Sequence, residues 1–155
     1  MFLKQKTNNK MLTFSNYCNN YCKNYINEKS NDNESDDEIS IEEFCGTLMQ
    51  SVVEMWKAHL MTDRYSDHMA LDEYYKEMPE KIDSFIESFL SINGKINDYK
   101  NTLTFDSNAI EYITELKSLV VDGRDKYAST TELESAIDDI LSLIDSTLYK
   151  LKELK

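Results

Sequence analysis

The chain has 155 residues, a formal net charge of −12 and 30% charged residues, with three Gly and one Pro. A charge of that sign argues against a strong DNA binder, which needs clustered Lys and Arg to neutralise phosphates, and no apolar run approaches membrane-spanning length. Scarce turn residues exclude a protein of many short strands and favour an all-α chain.

Residues 1–39 read as a flexible tail. They are rich in Asn, Ser, Lys and Asp, and the stretch Asn31–Glu38 is an acidic linker. Tyr17, Tyr21 and Tyr25 recur every four residues beside Cys18 and Cys22. Two readings stand: a short helix that docks on an unknown partner or on the body, or a tail with scattered aromatics. The spacing of Cys18 and Cys22 is a poor zinc signal without a second ligand pair. Three cysteines outside any framework are expected to be reduced thiols in an intracellular compartment. No signal peptide opens the sequence, so a cytoplasmic location is expected.

Residues 40–155 carry four amphipathic patterns. The first helix is predicted to start at a capping box, Ser40-x-x-Glu43, and to end near Met61. Its apolar stripe is Ile41, Phe44, Cys45, Leu48, Val52, Met55 and Trp56, and His59 continues it toward the interior. The second helix is predicted over 65–92, stopped by Asn93-Gly94, with Pro79 expected to kink it. A connection over 95–106 follows. The third helix is predicted from Ser107 to Tyr127 on Ile110, Ile113, Leu116 and Val120, with a weak point at Gly123. The fourth opens at Ser129–Thr131, with a capping box Thr131-x-x-Glu134, and carries Leu133, Ile137, Ile140, Ile144, Leu148 and Leu151 as its seam. The natural architecture is a four-helix bundle with a long connection between helices two and three.

Chemistry concentrates in a ladder. His59 precedes two pairs at i,i+4 spacing, His68/Asp72 and Asp83/Glu87, and each pair shares one face of the second helix. His68 and Glu87, like Asp72 and Asp83, are equidistant from a point between Glu77 and Met78. Two copies packed antiparallel about that point would set His68 against Glu87 of the second copy, and Asp72 against its Asp83. Around the helix, Tyr75, Ile82, Phe85, Ile86 and Phe89 are predicted to form the buried arc, with the ladder on the arc beside it. Imidazole and carboxylate together suit Fe(II), Mn(II) or Zn(II). Such acidic pairs also arise on an ordinary solvated face.

The run His59, His68-x3-Asp72, ten residues, Asp83-x3-Glu87 resembles the miniferritins, the Dps-like branch of the ferritin-like superfamily. The resemblance covers roughly residues 40–155. The gap between the two histidines is shorter than in that family, and Leu60 stands where Trp usually follows its first His. The resemblance implies a ferritin-like four-helix bundle and an iron site shared between two-fold-related subunits. Its metal ligands would be His59, His68, Asp72, Asp83 and Glu87, and no catalytic residue beyond them is expected. It further implies Fe(II) oxidation by oxygen or peroxide at a mono- or di-iron centre, and storage in a homo-oligomer, at least a dimer and by resemblance a dodecamer. Trp56 and Tyr65 would then quench radicals, or simply pack. The alternative is a non-catalytic ferritin-like structural or interaction protein docking through its tail. The Asn-, Lys- and Ile-rich usage is that of an AT-rich bacterial or phage genome, and a phage-encoded protein of that kind would be virion-associated.

Overall fold

The computed structural model describes residues 39–154, so the expectations for Tyr17, Cys18, Tyr21, Cys22, Tyr25 and the acidic linker lie outside the described residues. Within them the chain forms four helices and no strand: α1 (Ile41–Met61), α2 (Tyr65–Asn93), α3 (Ala109–Tyr127) and α4 (Thr131–Glu153). Ile39 already belongs to this body, since its carbonyl accepts the Tyr127 hydroxyl at 2.6 Å.

Local chemistry sets the ends. The Ser40 hydroxyl accepts the Glu43 N–H, and the Glu43 carboxylate accepts the Ser40 N–H at 3.0 Å, completing the expected capping box. The carboxyl of Glu43 is held below its ordinary range first by the Ser40 N–H and then by the Ser40 hydroxyl, which donates to it at 2.8 Å. Gly94 ends α2 with φ 90, a value that suits glycine. Two starts differ from expectation. Ser107 has φ 85, outside helical geometry, so Asn108 caps α3 and the helix begins at Ala109. Thr130 caps α4 by accepting the Leu133 N–H, which makes Thr131 the first helical residue, and the box with Glu134 does not form. The helix needs one hydroxyl at its boundary, and Thr130 supplies it a residue earlier. Pro79 sits inside α2, exposed, and the helix continues through it.

The helices close around one core. Phe44, Leu48, Met55, Tyr74, Met78, Phe85, Ile113, Leu116, Ile137, Ile140 and Ile144 are fully buried, and each large apolar side chain contributes roughly 1.5–3 kcal/mol. The α4 seam is buried throughout, as its spacing predicts. Gly123 is no weak point, because α3 runs through it and the Phe44 ring occupies the space a Cβ would need.

The order of helices is set by the 94–108 connection. α1 packs on α2 and α3, and α4 packs on α2 and α3. No Cα atoms of α1 and α4, or of α2 and α3, come within 8 Å, so these pairs are diagonal. The connection leaves the end of α2 and climbs the flank of α1. The Lys100 N–H donates to the Glu42 carbonyl at 3.0 Å, and Thr102 bonds Thr47 through its N–H and hydroxyl. Gly46 admits this strap, since a Cβ there would overlap the Lys100 main chain. Higher up, Phe105 and Ala109 share a cleft with Ala58 and Leu151. α3 therefore starts at the far end and runs beside α1 in the opposite sense, until Tyr127 meets Phe44. The result is an up-down-down-up bundle with one crossover. None of the four helices is long and apolar enough to cross a membrane.

Candidate metal centre

A three-residue turn, Thr62 to Arg64, folds α2 back on α1 and brings His59 and His68 face to face. Their ring centroids are 3.7 Å apart with planes at 31°. His59 Nδ1 lies 2.9 Å from the His68 carbonyl oxygen, and His68 Nδ1 lies 3.2 Å from the His59 carbonyl oxygen. A carbonyl oxygen can only accept, so each Nδ1 carries its hydrogen and donates. With Nδ1 donating, Nε2 is the nitrogen that holds the lone pair in the neutral form of each ring. A backbone carbonyl on the other ring nitrogen is how ligating histidines are commonly oriented. His59 is buried, as its place on the α1 stripe predicts, and His68 is half-buried.

Asp72 completes the cluster one turn further along α2. Its Oδ1 lies 4.0 Å from His59 Nε2. The Tyr75 hydroxyl donates to Oδ1 at 2.9 Å, and the Lys76 ammonium donates to Oδ2 at 2.6 Å. Those bonds, Lys76 first and Tyr75 second, hold the Asp72 carboxyl below the usual range, so it is an anion at neutral pH. Trp56 stacks on Tyr75 at 5.8 Å, and the Tyr75 ring meets His59 edge-on at 5.2 Å. Tyr75 and Lys76 are the members that the sequence reading did not find. Their i+3 and i+4 spacing from Asp72 is a signal that marks contact, although it does not name the partner.

Asp83 and Glu87 do not join this cluster within one chain. A rise of 1.5 Å per residue puts Asp83 about 17 Å along the helix from Asp72, and Glu87 about 28 Å from His68. Both are exposed. The buried arc of α2 is Ala70, Leu71, Tyr74, Met78, Ile82 and Phe85, whereas Tyr75, Ile86 and Phe89 are half-buried. The core is thus centred on Tyr74 and Met78 rather than on the predicted arc. The ladder, expected beside the core, winds from the half-buried flank at His68 and Asp72 out to solvent at Asp83 and Glu87. Among the described residues no three His, Cys, Asp or Glu side chains are arranged to hold a metal. The carboxylate buried within the bundle, Glu54, accepts the Gln50 amide at 2.6 Å and pairs with Lys57. One chain therefore brings two oriented imidazoles and one carboxylate to the same corner of the bundle.

The outer face beside this corner is apolar. Met49, Val53, Trp56 and Leu60 follow one another at helical spacing on α1 and are exposed, Trp56 by 52% and Leu60 by 70%. Trp56 was expected in the interior stripe. It lies instead at the edge of this exposed one, because Phe44, Ser51 and Met55 define the buried side of α1. Tyr65 is exposed at the start of α2.

A four-helix bundle with two histidines paired at one corner is the class of protein that these observations define. The chain belongs to a family of unknown function, DUF5856, whose profile matches residues 59–151; that span begins on His59 and includes the whole ladder. It is similar to a protein of Enterobacteria phage T4 described as an uncharacterized 14.6 kDa protein in the mobD-ri intergenic region. The two are 27% identical over 115 residues, covering 71% of this chain and 86% of the phage protein. No solved structure matches the chain.

Proposed function

We propose that this protein binds iron at a site shared between two copies packed antiparallel along α2, and that it oxidises Fe(II) there. His59, His68 and Asp72 of one copy would face Asp83 and Glu87 of the other. The observation that carries this reading is the reciprocal pair His59 and His68, each fixed through Nδ1 with its Nε2 lone pair left over. Asp72 beside it is already anionic, as a ligand to a divalent cation must be. The crossover bundle is the helix order of ferritin-like folds, which supports a ferritin-like assignment. The apolar stripe over Trp56 and Leu60 borders the half-site and suits coverage by the second copy.

Iron is the substrate in this reading. Each Fe(II) gives one electron, and a peroxide oxidant that takes two electrons and two protons leaves as two waters. The chain's own part is to supply neutral imidazoles and carboxylates that favour the higher charge of Fe(III). Mn(II) and Zn(II) fit the same donors. A second reading, a bundle that associates without metal, is favoured by the Lys76 ammonium already on Asp72. Such a protein would act as a structural part or docking partner.

Light scattering combined with elemental analysis on Fe(II)-loaded protein separates the two. The metal reading predicts a dimer or larger closed oligomer carrying iron, with binding lost in Glu87→Ala while helicity is kept. A monomer, or an oligomer without metal, would overturn it.

A further inference from the structure

We infer that the outer face of α2 is a self-complementary seam that pairs two copies of the chain antiparallel without any metal, with Lys76 as a cation shared between its own Asp72 and Asp83 of the second copy. The inference rests on the packing direction of the reading above, names what holds it, and does not need the iron.

The seam lies in the spacing. Tyr65, Met69, Asp72 and Lys76 are followed by Pro79, Asp83, Ile86 and Leu90, at alternating intervals of four and three residues. That alternation averages about 3.5 residues, the period that keeps one stripe of a helix against a partner helix. None of these residues belongs to the buried side of α2. Tyr65 is 79% and Met69 47% exposed, and Ile86 and Leu90 are half-buried. The intervals read the same from either end, about the point between Glu77 and Met78 that also centres the ladder. A second copy laid antiparallel on that point therefore matches the seam level by level. Tyr65 meets Leu90 and Met69 meets Ile86, apolar against apolar, and the two-fold repeats both contacts. On the neighbouring flank, reached through the Trp56–Tyr75 stack, the apolar stripe of α1 adds further exposed surface.

Charge completes the match in the middle of the seam. In that register Asp83 of the second copy is level with Asp72, and two bare carboxylates there would repel. The Lys76 ammonium already lies on Asp72 Oδ2 at 2.6 Å, one turn back from its own backbone, so it stands at the level where the second acid arrives. The Tyr75 hydroxyl and His59 lie on the other oxygen, which leaves the ion pair on the side of Asp72 away from α1. Lys76 itself faces Pro79 of the second copy, whose ring can cover the lysine stem while the ammonium reaches the acids. A parallel pair would instead set Lys76 against Lys76 and Asp83 against Asp83, so the charges select the antiparallel direction.

The test is sedimentation analysis of the full chain in EDTA for wild type, Met69→Glu, Lys76→Glu, and Lys76→Glu combined with Asp83→Lys, with helicity checked on each. All three positions are exposed, so the substitutions leave the core alone. Wild type should associate without metal. Lys76→Glu should raise the dissociation constant roughly ten-fold or more, because three acids then meet at each charged level. Met69→Glu should do the same by putting a charge into an apolar level. Adding Asp83→Lys to Lys76→Glu should restore association, since a lysine then stands against two acids of the other copy. Within one chain Asp83 lies about 10 Å along α2 from Lys76, so that rescue reports a contact between copies. A wild type that is monomeric in EDTA overturns the inference, and association on adding Fe(II) would then leave the metal reading standing. An oligomer unmoved by either single variant, or a Lys76→Glu defect that Asp83→Lys does not repair, also overturns it. Association in EDTA that obeys the charge swap, in a protein that takes up no iron, supports the inference and overturns the metal reading alone.

Discussion

His59 illustrates how far a single residue is legible. Its burial follows from the α1 apolar period, because it falls where Ile41, Cys45, Leu48, Val52 and Met55 lead. Its partnership with the His68 carbonyl does not, since that depends on the three-residue turn that aligns two helices. Gly46 is a similar case. Within a helix Gly usually costs about 1 kcal/mol relative to Ala, so a sequence reading expects Gly46→Ala to stabilise. The seated strap reverses the sign: a Cβ would overlap the Lys100 main chain and strain its bond to Glu42. We expect Gly46→Ala to lower stability by about 1–3 kcal/mol in urea unfolding. A gain in stability would mean that the strap does not rest there in solution. Cys45 beneath it is buried, and desolvation pushes its thiol up to about 12, so it is an inert packing residue rather than a nucleophile.

At the scale of elements, helix existence and most boundaries were legible because caps and apolar periods agreed. The boundary errors came from competing hydroxyls, as at Thr130 and Thr131, and from the positive φ of Ser107, which no side-chain pattern announces. The arc of α2 was misplaced because Tyr74 and Tyr75 are adjacent. The sequence cannot say which ring enters the core, and Tyr74 does so by bonding the buried Ser51 at 2.8 Å. The start of α1 carries a pH prediction. The bonds from Ser40 depress Glu43 from its ordinary value of 4.5. A depressed carboxyl adds stability that is complete above its unfolded value and fades as pH falls through its lower folded value. Wild type should exceed Glu43→Gln by about 0.3–1 kcal/mol at pH 7. That gap should close as the pH drops below 4.5, followed by urea midpoints at each pH. A gap independent of pH would show that the carboxylate charge plays no part in the cap.

For the whole molecule, the long second connection was legible, and the path it takes was not. Its docking depends on Gly46 and on Thr47 meeting Thr102, two short-range contacts between segments far apart in sequence. The ladder divides in the same way. One chain gathers His59, His68 and Asp72 and leaves Asp83 and Glu87 in solvent, so the shared site proposed above would need the second copy that the mirrored spacing describes. The most direct measurement mixes two variants that are each broken on one side. His68→Ala and Glu87→Ala should each bind no metal, yet subunits exchanged between them would rebuild one intact site in every mixed dimer. The account predicts recovery of about a quarter of wild-type Zn2+ binding, the statistical share for a two-fold dimer with two sites. No recovery in a mixture shown by mass to contain mixed dimers would contradict a shared site.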